Sequence, residues 1–458
     1  MMNPTDSLSR SPNSLPSPLL PVTARRKANG QLEIGGCDVV RLASAYGTPL
    51  YVYDQATMDT ILSEYRDGLD RYWPGEAEVA YAAKAWLSSA MAQWAAKRGL
   101  GMDVVSEGEL RHALQAGFPA ARIHAHGNNK PDSFLRSCVE TDVGRVAIDH
   151  LREAERLATI CATLGKPQGV WLRLNPATAP DTHASIQTGS ATSKFGLSIR
   201  DGSALEVARF VQANPWLDWR GLHFHIGSQI KNTLSLCEAT RRALNWLATL
   251  PPELSRKPTE FSPGGGWAVP YTPNAPHLAP STAIRDISQT ILSNLAHLDP
   301  NRSQPVPKLI LEPGRELVAR AGVALYTVGA LKQAAEVRYA FLDGGLADNP
   351  RPSLYESQYH ALLANRADPH ANTRYTLAGP FCESGDVLIH GITLPELQES
   401  DLIAIPVSGA YQLSMASTYN GAPRPPVLWL HQGNAQIVQR REPINMLWAR
   451  DVEIGGLS

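Results

Sequence analysis

Reactive side chains follow several short apolar segments of this sequence, and each segment has the composition of a buried strand. Lys84 ends YAAK, His225 and Ser228 lie at the end of HFHIGS, and Glu312 and Arg315 belong to EPGR. A lysine at a strand end that faces a barrel mouth loses part of its hydration, which favours the neutral amine needed for covalent chemistry with a carbonyl group. On an open surface the same lysine is only a solvated charge. The coincidence of these positions therefore carries more weight than any one of them.

Three consecutive glycines follow another apolar segment, at Gly264, Gly265 and Gly266. Glycine allows backbone N–H groups to approach a phosphate closely. The same string is compatible with a flexible turn and is weak evidence by itself. It gains weight from EPGR, which places an acid and an arginine suited to bidentate contacts on a tight turn.

Two histidines in HFHIGSQ, His223 and His225, are predicted to share one strand face because side chains alternate along a strand. They are interpreted as core histidines, as a metal-binding pair of a hydrolase barrel, or as an imidazole stacked on a flat cofactor ring. A metal site requires further ligands from other strand ends. His124 and His126 form the one comparable pair, and no supporting pattern accompanies them. We therefore predict no metal.

Further candidates lie in an apolar strand and in a turn-rich segment. Asp103 interrupts the apolar strand GMDVV, and a buried carboxylate requires a partner. Ser106 and Glu109 follow it with the spacing of a capping box, a structural role that is sufficient for both. Cys382 and Glu383 are adjacent in GPFCESGD. The cysteine is either a small buried hydrophobe or a proton donor beside a carboxylate.

Eight apolar segments between residues 54 and 318 are predicted as strands, and most are followed by an amphipathic helical stretch. They are EVAYAA, GMDVV, RIHAH, RVAID, GVWLRLN, RGLHFHI, TEFSP and KLILEP, starting at Glu78, Gly101, Arg122, Arg145, Gly169, Arg220, Thr259 and Lys308. This alternation predicts an α/β fold, a closed (β/α)8 TIM barrel, with active-site groups at the C-terminal ends of its strands.

A second, β-rich domain is predicted from residues 25–53 and 319–458. After Ala319 the segments GVALYTVGAL, VRYAFLDGG, DLIAIPVSGAY and PPVLWLHQG have strand composition with Pro and Gly turns. Residues 1–24, rich in Ser and Pro, are predicted to form a disordered tail.

Composition excludes several classes of function. The 458 residues carry a net charge of −1 without long runs of one sign, which argues against nucleic acid or an anionic membrane surface as a partner. No apolar run reaches the roughly 20 residues that a membrane helix requires. The five cysteines show no metal-type pairing, and we expect a reducing cytoplasm.

Ten motifs in order resemble the ornithine/diaminopimelate/arginine decarboxylase family of fold type III, and within it the group that acts on diaminopimelate. They run from about residue 47 to 421 and are GTPLYVYD, YAAKA, GMDVVSEGEL, SKFGL, HFHIGSQ, GGG, EPGRELV, DGGLADNPRPSLY, GPFCESGD and GAYQLSMASTYNG. The resemblance implies an alanine-racemase-like barrel with a β-domain, pyridoxal 5′-phosphate as cofactor, and decarboxylation of meso-2,6-diaminopimelate to L-lysine and CO2. It also implies a homodimer with its active sites at the subunit interface.

The resemblance assigns roles to individual residues. Lys84 matches the lysine that binds the cofactor covalently, His225 the residue stacked on its ring, Glu312 the carboxylate facing its pyridine nitrogen, and Cys382 a proton donor from the other subunit. Further implied cofactor contacts are Asp103, Ser228, Gly264, Gly265, Gly266, Pro313, Gly314, Arg315 and Tyr419, with Tyr411 as the alternative tyrosine. Implied substrate contacts are Arg315, Arg351, Tyr355, Glu383 and Tyr419.

Substrate identity depends most on RPSLY, because the fork of Arg351 suits a distal carboxylate. A sister decarboxylase acting on carboxynorspermidine, arginine or ornithine is the nearest alternative, and a metal-dependent hydrolase or a regulator without activity are more distant ones. Two departures from the family pattern are Trp86, where asparagine is expected, and the variant LADNPRP before the arginine.

Overall fold

The computed structural model describes residues 18–178, 193–254, 259–298, 305–367 and 371–452. The chain divides into two units. The β-rich unit comprises Met1–Asp59, Pro270–Ala275 and Val318–Ser458, and the barrel unit comprises Thr60–Val269 and Pro276–Leu317. The sequence prediction placed the boundaries at residues 54 and 318 and did not separate 270–275 from the barrel. That segment joins the β-rich unit because Tyr271 packs against Arg351.

The first elements of the chain belong to the β-rich unit. They are β1 (Arg25–Arg26), β2 (Leu32–Ile34), β3 (Cys37–Asp38), α1 (Val39–Tyr46) and β4 (Leu50–Asp54). Leu19 and Leu20 are buried, and Leu20 joins a hydrophobic core with Leu32 and Leu50. The prediction of a disordered tail is therefore wrong for residues 18–24, and residues 1–17 lie outside the described residues.

The barrel unit alternates strands with helices, as its hydrophobic pattern predicts. A helix precedes the first barrel strand. The elements from this helix to the fifth barrel strand are α2 (Gln55–Tyr72), β5 (Ala77–Ala82), α3 (Ser89–Lys97), β6 (Gly101–Val104), α4 (Glu107–Gln115), β7 (Ile123–Ala125), α5 (Asp132–Glu140), β8 (Arg145–Ile148), α6 (Leu151–Leu164) and β9 (Gln168–Asn175). The remaining elements are β10 (Leu197–Ser198), α7 (Ser203–Ala213), β11 (Leu217–His223), α8 (Leu234–Ala248), β12 (Glu260–Gly264), α9 (Pro280–Leu298), β13 (Lys308–Leu311) and α10 (Arg315–Val318).

Eight of these strands form a closed parallel barrel. β5 to β9 and β11 to β13 pair in chain order, β13 then pairs with β5, and the short β10 adds to β9. The predicted (β/α)8 barrel and all eight predicted strands are confirmed. β11 begins three residues before the predicted start at Arg220 and ends at His223, so His225 lies in the following loop. The expectation that His223 and His225 share a strand face is therefore wrong.

Local signals explain one helix start near the site. The hydroxyl of Ser106 accepts a hydrogen bond from the Glu109 N–H (3.2 Å) and thereby caps α4. The Glu109 carboxylate in turn accepts from the N–H of Val105 (2.7 Å). The predicted capping role of both residues is confirmed.

The N-terminal ends of the barrel strands carry charged pairs rather than the predicted site. Arg145 pairs with Glu260, and Lys308 pairs with Glu78. These pairs line a cavity of about 550 Å³ together with Trp171. Charged groups at this end of a barrel generally support stability, because the chemistry of such barrels lies at the opposite end.

The C-terminal part of the β-rich unit is built from strands, as predicted. Its elements are β14 (Gly322–Ala334), β15 (Val337–Leu342), α11 (Arg351–Tyr355), β16 (Leu362–Leu363), β17 (Thr373–Ala378), β18 (Val387–Leu394), β19 (Leu402–Ile405), β20 (Val427–His431) and β21 (Asn434–Gln439). The sheet runs β18-β17-β15-β14-β4-β20-β21, and β19 pairs with β14 and β16. The strand before the barrel, β4, is thus central to this sheet.

Short 3-10 helices complete the described structure. They are Ala83–Ala85, Ala120–Arg122, Pro252–Leu254, Leu413–Met415, Tyr419–Gly421 and Ile444–Trp448. Among the described residues, no helix combines the length and the hydropathy that a membrane crossing demands.

Candidate functional site

Lys84 lies immediately beyond the C-terminal end of β5, in the 3-10 turn Ala83–Ala85. Its side chain is exposed while Ala83 and Ala85 are buried. Directly before the turn, the N–H of Ala82 donates to the carbonyl of Pro313 (3.1 Å), which lies just after the last barrel strand. The sequence thus presents an accessible amine at the end of the barrel that carries chemistry. Trp86, the departure from the family pattern, is buried, and its carbonyl accepts from the Tyr81 hydroxyl (2.6 Å).

Glu312 is the first residue after β13, and it is buried between two polar side chains. The Ser262 hydroxyl donates to its Oε1 (2.5 Å), and the Nε2 of His223 lies 3.0 Å from its Oε2. Burial raises the pKa of Glu312 to about 7, and the charge of Asp103 acts in the same direction. The carboxyl is therefore fixed in orientation and titrates near neutral pH, which suits it to share a proton with a bound ring nitrogen.

The buried Asp103 has the partners that its position in a strand requires. Its Oδ1 lies 3.2 Å from Nδ1 of His124 and 3.6 Å from Nε2 of His126. Although burial by itself raises the pKa of Asp103, the two histidines bring it below its ordinary value. The His126 ring in turn contacts that of His223 edge-on, with centroids 4.7 Å apart. Asp103 therefore acts on Glu312 through its charge, and histidines rather than a hydrogen bond between the two carboxyls connect them.

His225 follows β11 and presents a neutral ring to the same end of the barrel. Burial, followed by the positive charge of Lys84, lowers the pKa of His225 well below its usual range. A Cβ added at Gly264 would lie 2.8 Å from Nδ1 of this ring, and one at Gly266 would lie 3.0 Å from Cε1. The glycines therefore leave the space that the imidazole occupies, and a neutral, flat ring suits stacking.

The structure brings together three potential metal ligands, and they are not the histidine pairs considered from the sequence. The donor atoms of His126, His223 and Glu312 lie within 4.8 Å of one another. Tetrahedral zinc sites with bonds of about 2.0–2.1 Å bring their donor atoms within about 3.4 Å of each other. Here the pair of His223 and Glu312 is held by its own hydrogen bond, and we interpret this cluster as a hydrogen-bonded network.

Three turns at the C-terminal end of the barrel approach so closely that only glycine fits. A Cβ at Gly265 would lie 2.4 Å from the carbonyl oxygen of Glu312, and one at Gly266 would lie 2.0 Å from that of Gly227. The φ of Gly266 is +95°, which also favours glycine. Beside these turns, Nη2 of Arg315 donates to the Ser228 hydroxyl (3.1 Å). Backbone N–H groups, a hydroxyl and a guanidinium together form a suitable cradle for a phosphate.

Arg173 is a member of this region that the sequence reasoning missed. It lies in β9, is buried, and has its Nη1 3.6 Å from Oδ2 of Asp149. Its guanidinium also lies 4.5 Å from the centre of the Phe195 ring. Burial lowers the pKa of Arg173. Burial and, after it, nearby positive charges that include Arg173 lower the pKa of His223 and His225. The sequence did contain a signal for Arg173. It is a charged residue inside the apolar strand GVWLRLN, just as Asp103 is a charged residue inside GMDVV. Ser262, in TEFSP, was also missed, because nothing local in the sequence identifies Glu312 as its partner.

In the β-rich unit, Arg351 begins α11 and is buried in an aromatic environment. Its Nη1 donates to the Tyr359 hydroxyl (2.6 Å), and its guanidinium lies 4.9 Å from the centre of the Tyr271 ring. Although burial alone would lower the pKa of Arg351, the two tyrosines raise it above its ordinary value. Among the described residues, no carboxylate forms an ion pair with it. Tyr355, at the end of α11, is half-buried, and the roles of Tyr271 and Tyr359 were not predicted.

Cys382 and Glu383 lie on an exposed loop of the same unit. The N–H of Cys382 donates to the side-chain oxygen of Asn420 (3.0 Å), and the neighbouring Phe381 ring contacts Tyr419 edge-on, with centroids 6.2 Å apart. Cys382 is exposed, whereas Cys37, Cys138 and Cys161 are buried. The interpretation of Cys382 as a small buried hydrophobe is therefore wrong. Tyr419 is exposed, and Tyr411 is half-buried with a φ of +67°.

Comparisons with known proteins agree with this geometry. The family described as "Pyridoxal-dependent decarboxylase, pyridoxal binding domain" matches residues 58–319. A diaminopimelate decarboxylase of Bacillus subtilis is 39% identical over 421 residues, which cover 92% of this chain and 95% of the relative. The crystal structure of diaminopimelate decarboxylase from M. jannaschii is 30% identical, with a TM-score of 0.87 over 95% of this chain and 99% of that one.

A further crystal structure, of the Helicobacter pylori diaminopimelate decarboxylase complexed with L-lysine, is 29% identical, with a TM-score of 0.81 over 90% of this chain and 98% of that one. The matches therefore extend over both units. The chain belongs to the pyridoxal-dependent decarboxylase family, within the group of its diaminopimelate decarboxylases.

Proposed function

We propose that this chain removes CO2 from meso-2,6-diaminopimelate and releases L-lysine, the last step of lysine biosynthesis. The observation that carries the choice of substrate is Arg351, a buried guanidinium that forms no ion pair with a carboxylate of the described residues. A buried charge requires a partner. A substrate with a second carboxylate, distant from the reacting carbon, supplies one in the bidentate geometry that arginine favours.

The barrel residues fit pyridoxal 5′-phosphate. The phosphate would be held by Ser228, Arg315 and the backbone N–H groups of Gly264, Gly265 and Gly266, beside the hydrogen bond that Arg315 donates to Ser228. Lys84 would anchor the cofactor, and Glu312 would face its pyridine nitrogen. When bound, this cofactor withdraws electrons from the α-carbon of an amino acid as its carboxylate leaves.

The protein side of the reaction follows from the states of individual groups. Glu312, whose pKa lies near 7, keeps a proton at the ring nitrogen, and the neutral imidazole of His225 adds no charge beside the ring. The bond between the α-carbon and the carboxyl carbon breaks, and CO2 departs without the bonding electron pair. We assign to the thiol of Cys382 the delivery of a proton to that carbon.

Assembly and location are part of the proposal. Cys382 and Glu383 lie on an exposed loop, and we propose that a homodimer brings this loop to the barrel mouth of the partner subunit. A cytoplasmic location is supported by five cysteines that are all unpaired.

The test is CO2 release by the purified protein with pyridoxal phosphate, using meso-diaminopimelate, ornithine, arginine and carboxynorspermidine. We expect CO2 from diaminopimelate with an equal amount of L-lysine. Release from another of these amino acids alone would keep the reaction type and overturn the role of Arg351. No release from any of them would contradict the proposal and favour a regulator without activity.

A further inference from the structure

A second acid, Glu316, follows the arginine of EPGR, and it has no role in the proposed function. It lies in the first turn of α10 and is only 6% exposed. Its Oε2 accepts a hydrogen bond from the N–H of Gly314 (3.2 Å). Because a buried carboxyl group requires partners, the contacts of Glu316 indicate what it does at this position.

The Glu316 carboxyl group connects two turns of the proposed phosphate cradle, which consists of Ser228, Gly264, Gly265, Gly266 and Arg315. One of its partners, Gly314, precedes Arg315 in the turn after β13. The other is Trp267, which follows Gly266 in the turn after β12 and whose backbone N–H also donates to this carboxyl group. Each N–H belongs to a residue next to a member of the cradle, so one side chain holds both turns.

The surroundings of Glu316 disfavour a negative charge. Its Oε1 is buried and, within the part of the chain that the structure describes, has no hydrogen-bond partner. The buried rings of Tyr65 in α2 and Trp267 stack with centroids 5.1 Å apart. Burial raises the pKa of Glu316, and the positive charge of Arg315 acts in the opposite direction. Burial, followed by the charges of Glu316 and Glu64, raises the pKa of Tyr65.

A phosphate in the cradle would bring a further negative charge to this region. A phosphate monoester carries a charge of about −1.5 to −2 at pH 7. A nearby charge of the same sign disfavours the ionised form of a carboxyl group, in addition to the effect of burial. The positive charge that opposes this effect belongs to Arg315, whose Nη2 donates to Ser228 on the cradle side (3.1 Å).

We infer that Glu316 is a positioning residue of the phosphate cradle and that it takes up one proton when the phosphate binds. The proton comes from solvent and forms a bond to a carboxylate oxygen, and no other covalent bond changes. The other oxygen accepts from the N–H of Gly314 in both states, so the turns stay connected. The inference rests on the proposed function, because it takes the phosphate site from it.

The test counts protons by calorimetry of pyridoxal phosphate binding to the cofactor-free full chain at pH 8, in two buffers of different ionisation enthalpy. Free phosphate is almost fully dianionic at this pH, since its second pKa is about 6. We expect wild type to take up about one proton more than Glu316→Gln, whose side chain does not titrate. Its Kd should also rise with pH more steeply, by about tenfold per pH unit. Equal proton uptake in both proteins would overturn the inference.

A second substitution tests the positioning role separately from the proton. Glu316→Gln keeps an oxygen for the N–H of Gly314 and needs no proton, so its Kd for pyridoxal phosphate at pH 8 should not exceed that of wild type. Glu316→Ala leaves the N–H groups of Gly314 and Trp267 without this acceptor. We expect its Kd to be about 10- to 100-fold higher than that of Glu316→Gln. Equal Kd values would show that Glu316 does not position the cradle.

Glu64→Gln is the matched control. Glu64 precedes Tyr65 in α2 and undergoes the same change of charge, but it is exposed. We expect its proton uptake to equal that of wild type and its Kd to stay within about twofold. A loss of proton uptake in Glu64→Gln as large as in Glu316→Gln would contradict the assignment of the proton to Glu316.

Further outcomes separate this inference from the proposed function. If wild type releases no CO2 from diaminopimelate but takes up the additional proton with pyridoxal phosphate, the function is wrong and the inference stands. A wild type that binds no pyridoxal phosphate would contradict both.

A measurement on wild type covers the case in which neither Glu316 variant folds. Sulfate is a dianion that does not titrate near neutral pH, and it serves as the probe for the cradle. We expect infrared difference spectra of the cofactor-free protein at pH 8 to gain the signal of one protonated carboxyl group when sulfate is added. Absence of this signal in a sample saturated with sulfate would overturn the inference.

Discussion

The polar groups at the mouth of the barrel differ in environment from those on the loops of the β-rich unit. In the barrel, Glu312 is buried and bonded to Ser262 and His223. On the loops, Cys382 and Glu383 are exposed. The ends of the strands position the side chains of the barrel site, and burial shifts the pKa of Glu312 and of His225. The loop groups depend on hydrogen bonds between loops and, in our proposal, on a second chain that covers them.

Loss of the barrel amine has the largest expected effect. Lys84→Ala removes the accessible amine at the end of β5, so we expect turnover to fall to background and the absorbance of the bound cofactor above the protein band to disappear. Lys97→Ala, an exposed lysine at the end of α3, serves as the control and should retain both. A Lys84 variant with normal turnover would contradict the assigned role.

Loss of the loop thiol should affect rate without affecting stability. Cys382→Ala removes a proton donor, for which we expect kcat to fall on the order of 10²- to 10⁴-fold. Because Cys382 is exposed, the free energy of unfolding should change by less than about 0.5 kcal/mol. Cys237→Ala, a half-buried cysteine of the barrel unit, should leave kcat unchanged. If kcat fell equally in Cys382→Ala and Cys237→Ala, the loop cysteine would have no special role, and the assignment of Cys382 as proton donor would be contradicted.

The buried carboxyl of the barrel should make stability depend on pH. Since the pKa of Glu312 is raised from an ordinary 4.5 to about 7, the folded state binds the proton more tightly than the unfolded state. This contribution is complete below about pH 4.5 and is lost as the pH rises to about 7, a change of about 3 kcal/mol. Urea unfolding of cofactor-free protein should show this decrease for wild type and not for Glu312→Gln. Glu64→Gln, an exposed glutamate of α2, should behave as wild type.

Arg351 is the exception among the loop groups, because it is buried. Arg351→Lys keeps the charge and loses the planar fork, so we expect KM for diaminopimelate to rise by roughly 30-fold, or about 2 kcal/mol. Arg338→Lys, an exposed arginine of β15, should leave KM within twofold of wild type. A KM that does not move in Arg351→Lys would mean that the guanidinium does not bind the distal carboxylate.

The smallest expected effect concerns the barrel scaffold. Ser106→Ala removes the hydroxyl that caps α4, which should cost about 1 kcal/mol of unfolding free energy and leave kcat unchanged. Ser63→Ala, in the interior of α2, should instead be neutral or slightly stabilising, because alanine is the better helix former. A change of kcat in Ser106→Ala would show that the cap also positions the site.

The sequence predicts the barrel well because its signals are local. Each strand is a short apolar run, and Lys84, Glu312 and Gly264 are recognisable where such a run ends. The partners Ser262 and Tyr359 were not predicted, because nothing local identifies which distant side chain a polar residue will contact. The same reason explains why Pro270–Ala275 was placed in the barrel. Its attachment depends on a contact between Tyr271 and Arg351, 80 residues later.

The central claim is that barrel groups of one chain act with the cysteine loop of another. Mixing Lys84→Ala with Cys382→Ala, each expected to retain about 1% of wild-type activity or less, and allowing the subunits to exchange tests this claim directly. Half of the dimers are then mixed and contain one intact site, so we expect recovery of about a quarter of wild-type CO2 release. No recovery in a sample shown to contain mixed dimers would mean that each chain completes its own site, and would contradict the account.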